Sequence, residues 1–594
     1  MNLVLTDWII IAAFFAISLI VGLAATRKSG SSASEFFLSG RNMPWWLLGF
    51  SMVATTFSAD TPNLVADIVR SDGVSGNWVW WAFLLTGMLT VFLYARLWRR
   101  SGVLTDLSFY ELRYGGKSAA FLRGFRAIYL GVVFNVIIMA TVCLAAIKIS
   151  AVLLGFTAIQ TLTIAGLITV VYSSFGGLRG VILTDFVQFI IAMAGSVAAC
   201  LYILNMPEIG GAESLLARAE VVPYTSFFPD FSNPKSYIPL FIIPLAVQWW
   251  SVWYPGAEPG GGGYIVQRML SAKSEKHALA ATLFFNVAHY ALRPWPWILV
   301  GLASLVVFPV TPDLTAEKGS IAFKGLQSLA AAFPNIPADK IGHDLAYPAM
   351  LRFLPAGLAG LVLASLAAAF MSTISTHLNW GASYLVNDFY ARFINPQAPE
   401  KRKVAAGRIV TVILMALSAI LALFLESALD TFTIILQIGA GTGLIFILRW
   451  FWWRINAWTE ITGMAVSFLV ALTFHVFDTG LSSEIQLLCS VGITTLAWVL
   501  VTLLTPPEEE EVLRRYCLLV QPGLGNWSRF YPKGTTITSG IGSKVIAMLA
   551  GTFAVYSALF ATGNFIYGEP LVGLLLSGVF VTCTLVVMRQ WKTI

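Results

Sequence analysis

Apolar runs of about 20 residues, each long enough to cross the hydrocarbon of a bilayer, recur along this chain from one end to the other. About fifteen can be counted, near residues 6–26, 44–69, 76–97, 121–155, 157–174, 181–205, 239–255, 277–308, 348–391, 404–425, 429–451, 456–478, 484–505, 543–563 and 569–589. Hydrocarbon offers no water to backbone amides, so such a chain must close its backbone hydrogen bonds within helices or within a sealed barrel. The apolar and polar alternation of a barrel strand is missing, which selects helices. Composition agrees: 11% of residues are charged, against roughly 25% in a soluble domain. The expected fold class is an all-α polytopic membrane protein.

Basic residues set the orientation. The first run starts at Asp7, has no basic leader and is followed by Arg27 and Lys28, the pattern of a retained helix rather than a cleaved signal. With the N-terminus outside, about 28 of the 37 Lys and Arg residues fall in or beside cytoplasmic loops, Arg96, Arg99, Arg100, Lys401, Arg402 and Lys403 among them, and about 6 fall outside. An odd number of crossings then leaves Arg589 and Lys592 in the cytoplasm. The net charge of +7 follows from this topology rather than from a nucleic-acid surface. Cys143, Cys200, Cys489, Cys517 and Cys583 are scattered without a CxxC and read as small core residues. The run PPEEEEVLRR from Pro506 reads as a solvated cytoplasmic segment, and the glycosylation pattern at Asn526 falls on that same side, where it has no meaning.

Inside the run from Gly357 to Tyr390 stand Ser372, Thr373, Ser375 and Thr376. Ala369, Ser372, Thr373 and Thr376 recur at i, i+3, i+4 and i+7, so they share one helical face, with Ser375 at its edge. A ladder of hydroxyl oxygens suits a small hard cation such as sodium without burying net charge. The competing reading is that these hydroxyls bond back to their own helix carbonyls or pack against a neighbour.

Two crossings are interrupted. The second breaks at Ser58-Ala59-Asp60-Thr61-Pro62-Asn63, where proline removes a donor and restricts its predecessor. The seventh breaks at Pro255, Gly256, Glu258, Pro259 and the glycines 260–263, unless that span ends at Tyr254 and the glycines form an ordinary loop. The two breaks lie five crossings apart, so one block of five starts from the cytoplasm and the next from outside. Broken helices in matching places of inverted halves mark a transporter binding site, because freed carbonyls and half-helix ends meet ion and solute at the midplane.

Four stretches, SASEFFLSGRNMPWW from Ser32, YSSFGGLRGVILTDFVQ from Tyr172, YIVQRMLSAKS from Tyr264 and LPAGLAGLVLASLAAAFMSTIST from Leu354, fall within roughly residues 1–450. Together they resemble the sodium:solute symporter family, which includes bacterial proline, sialic acid and galactose transporters and mammalian glucose cotransporters. The resemblance implies a leucine-transporter-like core of five plus five inverted helices. It divides the chain into an extra helix and loop (1–43), a first repeat (44–205), a second, inverted repeat (206–453), and additional helices with a cytoplasmic loop near 506–543 (454–594). It implies a sodium site of the Ala54, Phe57 and Ala369 carbonyls with the Ser372 and Thr373 hydroxyls. Some members hold a second sodium ion, for which Asp185, Ser372, Ser375 and Thr376 match. Asp185 stands shortly after Arg179 near a helix end, so an ion pair with Arg179 or an exit-path role competes with ion binding.

The solute contacts of the galactose transporter do not carry over, because this chain has Gly-Ala-Glu-Pro-Gly-Gly-Gly-Gly where that protein has aromatics and amides. Local chemistry offers Asp60, Thr61, Asn63 and Asp67 at the first break, Glu258 at the second, and Trp78, Trp80, Trp81, Trp249, Trp250 and Trp253 nearby. Indole faces with acids and amides suit a polyhydroxylated solute. Trp45, Trp46, Trp450, Trp452 and Trp453 read instead as an interfacial belt. His289 and Arg293 share a helical face and can neutralise Glu258 or Asp60 or bind a solute carboxylate; His377, Asn379 and Asn135 are further polar intruders, Asn135 more in the manner of a helix-to-helix hydrogen bond.

The expected function is sodium-coupled symport of a small polar solute, a sugar or sugar derivative, by alternating access, with an amino acid, an organic anion or proton coupling as alternatives. A sensor would need a signalling module, and 506–543 is too short for one. An enzyme is not expected, because His277, His289, His343, His377 and His475 form no metal or nucleophile motif. The expected partners are a solute, one or two sodium ions and the lipid of a plasma membrane, the inner one in a bacterium. Nucleic acid and organic cofactors are not expected, and the chain is expected to be a monomer or weak oligomer.

Overall fold

The computed structural model of the protein describes residues 3–24, 30–253, 258–317, 319–334, 336–477, 479–523, 527–532 and 540–591. The expectations placed on Arg27, Lys28, Tyr254, Pro255, Gly256, Asn526 and Lys592 lie outside the described residues. Among the described residues the regular structure is helical, and eleven helices are long and apolar enough to cross a membrane.

In chain order the helices used below are α1 (Leu5–Ala24), α2 (Trp45–Thr55), α3 (Asp60–Asp72), α4 (Val74–Ser101), α5 (Gly116–Leu154), α6 (Ala158–Leu204), α7 (Gly263–Ser271), α8 (Glu275–Val307), α9 (Leu358–Ile394), α10 (Glu400–Ala422), α11 (Ala428–Gly439), α12 (Ala457–Val476), α13 (Ser483–Leu504), α14 (Glu510–Val520), α15 (Ile541–Ile566) and α16 (Pro570–Trp591). The runs at 157–174 and 181–205 are two helices that meet end to end in α6 across a kink at Gly177, whose φ of 55° and ψ of −166° are not helical and favour glycine. Its first turn is closed by a capping box between Thr157 and Gln160.

Burial sorts the helices. The most apolar window of α9 is 83% buried within the protein and that of α8 is 78% buried, whereas α1 and α16 reach only 22% and 11%. A helix apolar all round and left open in this way faces lipid, so α8 and α9 form the interior and α1 and α16 lie outside. α9 packs on α6, α1 and α10, while both halves of the broken second crossing, α2 and α3, lie on α8. α1 also anchors the start of α9. The buried Asp7 carboxylate accepts from the N–H groups of Gly357 and Gly360, each at 2.7 Å, so an anion sits on the positive end of that helix.

Both expected breaks are present in the described residues. α2 stops at Thr55 and α3 starts at Asp60. Among the described residues, the seventh crossing is helical to Ser251 and extended at Val252, and helix α7 starts at Gly263. A third interruption was not foreseen. The crossing near 429–451 stops at Gly439 and restarts at Gly443, and its open turn pairs with the seventh: Trp253 donates its N–H to the Gly439 carbonyl (3.1 Å) and Gly441 donates to Ser251 (2.8 Å). A Cβ on Gly439 would lie 2.1 Å from the Trp253 carbonyl oxygen, so only glycine admits this approach. Trp450 departs from the interfacial reading. It is fully buried with its ring centroid 4.4 Å from that of Phe109, whereas Trp45 and Trp46 are exposed as a belt requires.

Candidate ion and solute site

The four hydroxyls of α9 are buried in protein rather than turned to lipid. They divide into different bonds. Thr373 donates to the Thr55 carbonyl (2.8 Å), the last helical residue of α2, and so crosses to the break. Ser372 donates to Asp185 (2.6 Å). The Thr376 hydroxyl meets that of Thr55 (2.9 Å), and Ser375 bonds back to the Ser372 carbonyl (3.1 Å), the self-satisfied behaviour that competed with ion binding. At the break the Ala54 carbonyl accepts from the Phe57 N–H (3.2 Å). Helix α9 is regular through Ala369, Ser372 and Thr373, so the Ala369 carbonyl lies one turn before those hydroxyls.

Asp185 is fully buried and its partners are not those of a surface ion pair. It accepts from Ser51 (2.5 Å) and Ser372, and Arg268 of α7 approaches to 3.6 Å. Arg179 is not that partner, and the competing surface pair is thereby corrected. The helix carries the acid inward, away from its basic neighbour in sequence. Arg268 is the residue that sequence reasoning missed. Its guanidinium also donates to Ser51 (3.1 Å), Thr376 (2.6 Å) and Gln267 (3.0 Å), so two of the four residues of the second predicted ion set, Asp185 and Thr376, face one fixed positive charge. A signal was available, since an intramembrane acid calls for a cation and Arg268 is one of two basic residues, with Lys273, within the quoted stretch from Tyr264 to Ser274.

A cavity of about 150 Å³ opens beside Thr373. At the ~10–15 Å³ that one enclosed water requires, it has room for about ten waters, on the scale of a monosaccharide. Thr56, Ser58, Asp60 and Thr61 line it from the break, Trp80 from α4, Tyr264 from α7, His289, Tyr290 and Arg293 from α8, Thr373 and His377 from α9, and Phe432 from α11. The wall is ordered by side-chain bonds. Thr56 meets His289 Nδ1 (3.0 Å) and accepts from Arg293 (3.3 Å), Arg293 meets His289 Nε2 (3.2 Å), and Trp80 stacks on Tyr290 with ring centroids 5.8 Å apart. Oδ1 of Asp60 is buried without a hydrogen-bond partner among the described residues, an acceptor held ready for a donor.

The structure thus brings together Asp60, Thr61, Trp80, His289, Arg293 and His377 of the residues expected to meet solute. The others stand elsewhere. Asn135 lies one layer back, where its carboxamide joins His377 Nδ1 (2.6 Å) and donates to the His377 carbonyl (2.8 Å). Trp81 and Asn63 are buried outside the cavity lining. Trp253 packs edge-on to Phe134, with centroids 5.1 Å apart. Glu258 lines a separate small chamber with Thr86 and Asn286, so Asp60 rather than Glu258 is the acid that shares the cavity with Arg293. Ser51, Thr55, Thr56, Ser58, Tyr264, Tyr290 and Phe432 were not anticipated; they come to the site by packing rather than by any local pattern.

Comparison with known proteins gives this arrangement a family. Residues 36–467 match the model of the sodium:solute symporter family. The chain is 26% identical over 518 residues to the sodium/glucose cotransporter of Vibrio parahaemolyticus, covering 85% of this chain and 91% of that protein. It is 27% identical over 494 residues to a sodium/mannose cotransporter of Bos taurus, covering 78% of each. Its fold matches the substrate-bound outward-open structure of a Na+-coupled sialic acid symporter with a TM-score of 0.65 at 20% identity, over 86% of this chain and 99% of that one. The fold is therefore all-α and leucine-transporter-like, and the protein is integral to the membrane. This chain belongs to the sodium:solute symporter family.

Proposed function

We propose that the chain is a sodium-coupled symporter that carries a sugar or sugar derivative across the plasma membrane by alternating access. One observation carries the reading: Thr373 both lines the solute cavity and donates to the Thr55 carbonyl at the helix break. A sodium ion held by the Ala54, Phe57 and Ala369 carbonyls and the Ser372 and Thr373 hydroxyls would share that residue with the solute wall. Ion binding then draws α9 to the broken helix and shapes the cavity, so that filling one site favours filling the other. Asp60, Thr61, Trp80, His289 and His377 supply the acceptors, donors and ring face that a polyol needs. The names of the glucose and mannose cotransporters among the relatives support a sugar.

The coupling ion in this reading is one sodium per solute at the Thr373 site. Arg268 already supplies the positive charge beside Asp185 and Thr376, so a second ion there requires the guanidinium to leave. Each charge moved inward through 100 mV contributes about 2.3 kcal/mol, enough with the sodium gradient to concentrate a neutral solute. The distribution of Lys and Arg supports an outside N-terminus and a cytoplasmic C-terminus, and the spacing of the two breaks supports the division into two inverted repeats.

Arg293 in the cavity favours a second reading, a solute that carries a carboxylate. The test of both is uptake into proteoliposomes under an imposed sodium gradient at constant pH. Neutral hexoses and acidic sugars are offered after a thermal-shift screen of each with and without sodium. Uptake that follows sodium supports symport. Uptake that follows an imposed proton gradient without sodium overturns it, and the ligand that raises the melting temperature separates neutral from acidic solutes.

A further inference from the structure

Away from the solute cavity, α4, α8 and the loop before α7 enclose a chamber of about 10 Å³. That is the scale of one water or one small ion. Its polar lining is Thr86 and Thr90 from α4, Thr282 and Asn286 from α8, and Glu258 from the broken seventh crossing, all buried.

The protons of the lining side chains are turned elsewhere. Thr86 donates to the Trp249 carbonyl, Thr90 to the Thr86 carbonyl (2.9 Å), and Thr282 to the Ala278 carbonyl (2.9 Å). Asn286 donates its amide to the Thr282 carbonyl (2.8 Å), which fixes the rotamer and leaves Oδ1 facing the other way. That Oδ1 has no hydrogen-bond partner among the described residues. Each hydroxyl keeps its lone pairs after donating, so these four side chains offer acceptors only. The carboxylate of Glu258 adds negative charge, and among the described residues no basic side chain lines the space. An acceptor-lined chamber of this size, with a carboxylate in its wall, matches a hard cation with oxygen ligands.

The glycines around the chamber keep it open. A Cβ on Gly87 would fall 1.8 Å from Asn286 Oδ1, and Cβ atoms on Gly262 and Gly263 would lie 3.1 Å from Glu258 Cγ and Oε1. Gly260 and Gly261, with φ of 80° and 82°, turn the chain so that Glu258 folds back beneath α7.

We propose that Glu258, Asn286, Thr86, Thr90 and Thr282 form a buried sodium site that ties α4 and α8 to the broken seventh crossing. It is separate from the Thr373 site and from the solute cavity. It does not rest on the solute assignment, because ion binding can be measured without transport.

The test is equilibrium binding of radiolabelled sodium to the purified full-length protein, beside its melting temperature in sodium and in choline. Glu258→Gln keeps the shape and removes the charge, and should bind one fewer ion per chain than the wild type. Thr90→Val is isosteric, guards against a Glu258 variant that does not fold, and should weaken one class of site roughly ten-fold, about 1.4 kcal/mol for one lost oxygen. Thr373→Ala should weaken a different class, and its effect should add to that of Thr90→Val. Unchanged stoichiometry and affinity in folded Glu258→Gln, or in Thr90→Val, overturns the site. Sodium binding that is unchanged while only its pH dependence moves also overturns it, since the carboxylate then holds a proton. Loss of sodium-driven uptake with this binding intact would count against the symport reading and not against the site.

Discussion

Arg268 stands 3.6 Å from Asp185 with both side chains fully buried, and the two share Ser51, which donates to the acid and accepts from the base. Breaking a buried pair by removing one partner costs about 3–5 kcal/mol, because the remaining charge has no compensation. A sodium ion can take its oxygen ligands from the same carboxylate and hydroxyls once the guanidinium is gone. Arg268→Met should therefore lower the melting temperature in choline and regain much of the loss in sodium, a larger sodium shift than in the wild type. Equal shifts in both proteins would show that Asp185 does not exchange arginine for an ion.

Thr373 and Ser372 should separate by partner. Thr373 reaches the Thr55 carbonyl at the break, whereas Ser372 is held by Asp185. Loss of one oxygen ligand on the scale of 1.4 kcal/mol raises the half-saturating sodium concentration roughly ten-fold. Thr373→Ala should show that rise in uptake assays, Thr373→Ser should restore most of the affinity, and Ser372→Ala should show a rise of its own. Wild-type sodium dependence in both alanine variants would remove the proposed coupling site.

What could be read in advance was what local rules govern. The hydroxyl face of α9 followed from helical period alone, and the break before α3 followed from Pro62 and its polar neighbours. The glycines 260–263 marked the second break. The pairing of Gly439 and Gly441 with Trp253 and Ser251 could not be foreseen, because a glycine in an apolar run signals a close approach without naming what approaches. For the same reason Arg268 was passed over: it stands in a quoted stretch, but its partner is on α6. Trp450 was misread because interfacial and core tryptophans look alike in sequence, and only packing against Trp98 and Phe109 tells them apart. Glu258 sat beside the right break but turned away from the cavity, a choice made by loop geometry that no periodicity encodes.

Trp80 tests the solute wall. Its ring lies on Tyr290 in the cavity lining, and its indole N–H is fixed by the Asn77 side chain (2.9 Å), so the face is held in place before solute arrives. Aromatic contacts of this kind contribute about 0.5–1.5 kcal/mol beyond area. Trp80→Ala should raise the half-saturating solute concentration by roughly three- to ten-fold. Sodium binding measured without solute should stay near wild type. A sodium affinity that falls while the solute dependence holds would place Trp80 on the ion side instead.

Asp388, near the end of α9, is buried and receives Thr105 (2.7 Å), Ser108 (3.0 Å) and Arg123 (2.7 Å), and Arg123 also reaches Glu111 (2.6 Å). These bonds fasten the end of α9 to the segment between α4 and α5 and to the start of α5. Since Asp388 has no exposure, its carboxylate depends on Arg123 for charge and on the hydroxyls for its remaining lone pairs. Arg123→Met should destabilise the full-length protein by about 3–5 kcal/mol. Asp388→Leu in the same chain should return part of that loss, because the stranded charge is gone and an apolar contact replaces it. A double-mutant cycle on thermal unfolding measures the coupling, expected at about 0.5–3 kcal/mol. Strict additivity of the two changes would show that the lock acts through the hydroxyls and not through the ion pair.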